Sequence, residues 1–148
     1  MSNRWRVVGI VAAVLCGLLA AGVGYLSHFN LNDVYSFQYR PIELAWCHTA
    51  RVLSVLIVVA SAVTFASVVS GSERLRYWCP RLLAVATLGT VVLFLLGFAW
   101  VNESEYTGGD WAGLSGIVAT VVGIVAPGVM AFFCSLQLLV HSKIRRQT

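Results

Sequence analysis

Apolar and polar positions in this chain separate into long blocks. Four apolar blocks, at about 7–26, 52–69, 82–101 and 112–140, each run for some 18 residues or more. That is the length needed to cross roughly 30 Å of hydrocarbon at about 1.5 Å per residue. The blocks are too continuous for barrel strands, and a backbone group left unpaired in lipid costs several kcal/mol, so they predict transmembrane helices. The expected fold is an all-α integral membrane protein. It forms a single four-helix bundle over 1–148, with loops at 27–51, 70–81 and 102–111. The fourth block is long enough to tilt or kink. Pro127 supplies the kink, because it removes a backbone donor and crowds the carbonyl of Gly123. Gly123 leaves room for a neighbouring helix at that weak point.

The loops carry a shorter pattern. Tyr35, Phe37 and Tyr39 alternate with smaller or polar residues. This period of two reads as a short strand with one aromatic face, ended by Pro41. Gly108 and Gly109 mark a turn in the third loop, which leaves residues 105–107 able to pair with that strand. Trp5, Trp46, Trp78, Trp100 and Trp111 all fall at block ends, where an indole settles at headgroup level. Tyr35, Phe37, Tyr39 and Trp46 form the expected outer-loop surface for a partner.

Composition sharpens the picture. Charged residues make up 11% of the chain and hydrophobic residues 59%, whereas a soluble domain carries about 25% charged residues. With 10 basic and 6 acidic residues the chain cannot cover a soluble core. The balance also excludes a disordered chain, a disulfide-stapled secreted domain and a basic-patch nucleic-acid binder. Eight of the ten bases fall on one side of a four-span arrangement: Arg4, Arg6, Arg74, Arg76, Arg81, Lys143, Arg145 and Arg146. Five of the six acids fall on the other: Asp33, Glu43, Glu103, Glu105 and Asp110. Basic flanks stay in the cytoplasm, so both termini and the 70–81 loop are expected there. The net charge of +4 is then a topology signal, with some attraction to anionic headgroups. The first apolar block exceeds the roughly 7–15 residues of a signal-peptide core, so it is expected to remain as a helix.

Candidate chemistry is sparse. Gly9, Ala13, Gly17 and Ala21 recur every four residues and make a small-residue stripe along span one. Such stripes let helix backbones approach, within the bundle or against a partner subunit. Ser54, Ser61, Thr64 and Ser67 dot span two, and Thr87 and Thr90 span three. These hydroxyls can bond to carbonyls of the preceding turn. No Asp, Glu, Lys or Arg lies inside the blocks, which argues against ion- or proton-coupled transport. His28 and His48 are expected near one interface and His141 near the other. The four cysteines include no CxxC pair, and only Cys47 is expected on the oxidising side. Cys79 is juxtamembrane and a palmitoylation candidate, and Asn102 opens an N-glycosylation sequon.

Four spans, inside termini, and a larger first than second outer loop resemble tetraspan proteins of the claudin and MARVEL type. The resemblance is one of topology, and the first loop has Trp46-Cys47 with no second cysteine. It implies roles in junction building, membrane-domain organisation or service as an auxiliary subunit. The Arg/Asn/Glu cluster of glutathione-linked membrane enzymes and the membrane glutamate of small multidrug transporters are not visible. The expected function is therefore a non-enzymatic structural or accessory subunit, without cofactor or metal. It would sit in the bilayer of the plasma membrane or an endomembrane and bind other membrane proteins through helix faces and its outer loop. The alternative is an oligomeric passive channel or carrier for a small solute.

Overall fold

The computed structural model describes residues 3–32, 41–105, 117 and 120–146. Four helical segments are long and apolar enough to cross a membrane. They are α1 (Asn3–Asn32), α2 (Pro41–Ser70), α3 (Glu73–Glu105) and α4 (Ala126–Arg146), the last entered through a π-turn at Val121–Val125. Each helix packs on the next, α4 closes the ring against α1, and diagonal pairs hardly meet. Contacts run in opposite senses along every neighbouring pair. Arg6 bonds to the Val68 carbonyl, and Gly24 lies against Ser54. Cys79 lies against Thr64, and Trp100 against Trp46. The bundle therefore runs up, down, up, down.

Buried positions explain why these helices pair. Along α3 they are Cys79, Leu83, Ala86, Thr90, Leu93, Gly97 and Trp100, alternating steps of four and three. Along α4 they include Pro127, Met130, Cys134, Gln137, Val140 and Ile144. On α2 the same repeat is broadened to Leu53–Ser54, Ile57, Ala60–Ser61, Thr64 and Ser67–Val68. A period near 3.5 is the seam of knobs-into-holes packing between helices some 20° from antiparallel. The outward positions are bulky and apolar, such as Val14, Leu18, Val55, Leu88, Leu95 and Phe132. A soluble protein rarely exposes such a continuous belt.

The helices outrun the apolar blocks. α2 begins at Pro41, not near Val52, and α3 at Glu73, not near Leu82. At 30 residues, α2 is about 45 Å long, the thickness of a bilayer with its headgroups. Hydropathy marks only what tolerates hydrocarbon, whereas a helix continues through the headgroup layer wherever one face still packs. Trp46, Cys47 and Ala50 supply that face on α2, while Arg51 and His48 point outward. Between α2 and α3 the expected loop shrinks to Gly71 and Ser72. Gly71 has φ +67° and donates its N–H to the Ser67 carbonyl at 3.1 Å. This is the left-handed helix stop that glycine adopts without strain. The expected strand at 34–40 lies outside the described residues, among which there is no strand; of its expected partner at 105–107, Glu105 is the last residue of α3 and 106–107 lie outside.

Candidate functional site

The small-residue stripe of α1 starts where α1 meets both α4 and α2, a Cβ on Gly9 falling 3.0 Å from a Val140 methyl and 3.5 Å from one of Val68, and runs onto the seam with α2. Gly9 and Ala13 are buried, Gly17 is half-buried and Ala21 is exposed. A Cβ on Gly17 would sit 3.6 Å from the Ser61 Cβ, and one on Gly24 only 2.8 Å from the Ser54 Cβ. The closest approach of α1 to α2 is thus at Gly24, beyond the stripe, and the seam opens outward as a groove. One part, of about 470 Å³, is lined by Ala13, Gly17, Leu18, Ala21, Val58, Ala62 and Phe65, among others. A second, of about 320 Å³, continues along Ala21, Gly24, Arg51, Ser54, Val55 and Val58. Ser54 is 5% exposed and its hydroxyl has no hydrogen-bond partner. A buried hydroxyl without a partner costs roughly 1–3 kcal/mol.

Inside the ring, polar side chains mostly satisfy one another. Cys16 and Cys134 face each other across the α1/α4 interface with sulfurs 3.7 Å apart. Next to them Gln137 donates to the Ser61 hydroxyl at 3.5 Å, while its carbonyl oxygen is buried without a partner. Thr64 bonds to the Ala60 carbonyl at 2.8 Å and touches the Cys79 sulfur at 3.2 Å. Thr87 and Thr90 also bond to carbonyls of the preceding turn, as the sequence suggested. The interior is otherwise filled by Leu53, Ile57, Leu83, Leu93 and Met130.

The weak point expected at Gly123 and Pro127 is a π-turn. Ala126 donates to the Val121 carbonyl, one residue further back than in an α-helix. Gly97 of α3 presses into this turn, where a Cβ on Gly97 would run into the Gly123 carbonyl. Nothing in the sequence of α3 singled out Gly97 over Gly89. Gly89 meets Leu53 of α2, whereas Gly97 meets the Gly123 backbone at the entry to α4.

The remaining predicted positions are placed as follows. Trp46 belongs to α2, not to a loop, and is 1% exposed. It packs against Trp100 with ring centroids 5.3 Å apart and planes tilted by 44°, so these two indoles fill the end of the bundle and do not line its rim. Cys47 is likewise buried in the core, not presented in a loop. Cys79 is buried against Thr64. Asn102 is exposed on the last turns of α3. His28 and His48 are exposed at one end of the bundle, and His141 belongs to the other. Tyr35, Phe37, Tyr39 and Trp111 lie outside the described residues. Among the described residues no three His, Cys, Asp or Glu side chains come together as a metal site.

Comparison with protein-family models, with curated proteins and with solved structures gives no match. What this arrangement can do follows from its own surfaces. It has a filled interior, an apolar exterior and one outward seam floored by small side chains.

Proposed function

We propose that this chain is a non-enzymatic four-pass membrane protein acting as a structural or accessory subunit. Both termini and the Gly71–Ser72 turn lie in the cytoplasm, and a neighbouring membrane protein binds along the α1/α2 seam. The observation that carries this reading is the groove itself. Between helices in lipid, association is driven by close packing and interhelical hydrogen bonds. The groove offers the first, through Ala21, Gly24 and Ala62 as low ground between the two helices. Outward positions of α3 and α4 are mostly branched or aromatic, such as Val85, Leu88, Leu95 and Phe132, and suit lipid chains. The segment holding Tyr35, Phe37 and Tyr39 follows α1 and is proposed to extend the partner surface.

The channel alternative draws on Ser54, Ser61, Thr64 and Ser67, which all lie on the inward face of α2. That row is interrupted by Ile57 and Ala60, and packed Trp46 and Trp100 fill one end. Such an interior favours packing over a water path within one copy, so an oligomeric channel or carrier would have to conduct between copies. Photo-crosslinking in native membranes tests the subunit reading. A photoreactive residue at Ala62, in the groove, is expected to give a discrete protein adduct. One at Leu88, on the outward face of α3, is expected to label lipid only. The same labelling from both positions would sink the proposal.

A further inference from the structure

The end of the bundle that carries the Gly71–Ser72 turn holds a second concavity, between the first turns of α3 and the last turns of α4. Arg76, Tyr77, Pro80, Arg81 and His141 line its main part, about 650 Å³. An adjoining part of about 600 Å³ adds Leu138 and Arg146. Three guanidiniums thus face one carboxylate, that of Glu73. The planar N–H fork of arginine matches phosphate oxygens. The Arg81 guanidinium carbon lies over the Tyr77 ring, 3.7 Å from its centroid, and 5.7 Å from the centroid of the Trp78 ring. This cation–π contact restrains the guanidinium and leaves its edge to an acceptor.

The level of the cleft narrows the ligand. Arg81 immediately precedes the apolar stretch that opens at Leu82, and Arg76 lies about 7.5 Å further out along the helix axis. The polar layer of a leaflet is roughly 5–8 Å deep, so the two guanidiniums bracket it. Tyr77 and Trp78, both more than half exposed, mark the same layer. Inward of Arg81 the lining becomes apolar at Leu138, while Pro80 and buried Ile144 form apolar wall at the level of the charges. Charge above and hydrocarbon below is the profile of a phospholipid.

We propose that this cleft binds the phosphate headgroup of an anionic phospholipid between Arg76 and Arg81 of α3 and Arg146 of α4. The inference rests on the four helices crossing the bilayer, and not on the accessory role. The full-length chain in detergent is titrated with dioleoyl phosphatidylglycerol or dioleoyl phosphatidylcholine, and bound lipid is counted by native mass spectrometry. One phosphatidylglycerol should be retained under conditions that strip phosphatidylcholine. In R76Q/R81Q its affinity should fall on the order of tenfold. R4Q/R74Q removes two charges from the same end but outside the cleft, and should change affinity by less than about twofold. If R76Q/R81Q loses its helical circular dichroism, R146Q on the opposite wall carries the test with an expected loss of about threefold. Equal losses in R76Q/R81Q and R4Q/R74Q, or no loss in R146Q, would overturn the site. Equal retention of phosphatidylcholine would overturn its headgroup preference. Displacement of the lipid by millimolar inorganic phosphate would overturn the assignment to a lipid.

Discussion

Single glycines set the closest approaches in this bundle, and they differ sharply in what surrounds them. Gly97 has no room for a side chain, because the carbonyl of Gly123 occupies the space. Gly97→Ala must push α3 and α4 apart, and is expected to destabilise by about 2–3 kcal/mol. A Cβ on Gly22 would meet nothing within 4 Å. Gly22→Ala should therefore leave stability unchanged or raise it by up to about 1 kcal/mol through helix propensity. Thermal unfolding in one detergent compares the two, and equal effects would contradict the α3/α4 crossing. Gln137 poses the opposite question, since it is fully buried with one amide oxygen unsatisfied. Gln137→Met keeps the volume and removes the orphan group, so it should stabilise by about 1 kcal/mol. A loss of stability would show that the long bond to Ser61 outweighs the unmet oxygen.

At the scale of elements, the seven-residue repeat of buried positions decides which face of each helix turns inward. Leu93 is fully buried and Leu88 is 68% exposed, although both lie in the same apolar block. Leu93→Ala should cost about 2–3 kcal/mol through the cavity it leaves, and Leu88→Ala less than about 0.5 kcal/mol. The same unfolding assay separates them, and comparable losses would mean that the register of α3 is wrong. This register was hard to read from the sequence for a physical reason. In a lipid-facing helix the outward residues are as apolar as the inward ones, so periodicity carries little contrast. The existence of the four helices was legible because it depends only on length and hydropathy. Pro127 and Gly123 were legible as a weak point because their effect on the backbone is local. The partner of that weak point was not, and neither was the burial of Trp46 and Cys47. Both depend on how far a helix continues beyond its apolar block, which neighbouring helices decide. The basic residues were likewise visible one by one, but their convergence between α3 and α4 needed the antiparallel packing.

For the molecule as a whole, among the described residues, one end of the bundle carries Arg4, Arg6, Arg74, Arg76, Arg81, Lys143 and Arg146, and the other Glu43, Glu103 and Glu105. The basic cleft has a use only if its end sits among headgroups, and the α1/α2 seam only if it faces lipid and the proteins dissolved in it. Both therefore depend on four crossings in a single orientation. The four native cysteines are buried, which leaves a quiet background for added thiols. Single cysteines placed at Arg4, Ser72 and Asn102 can be exposed to a membrane-impermeant maleimide in sealed, right-side-out vesicles. Labelling at Asn102 alone, with Arg4 and Ser72 reacting only after the vesicles are opened, is the predicted result. Labelling of Arg4 or Ser72 in sealed vesicles, or protection of Asn102, would contradict the four-crossing orientation.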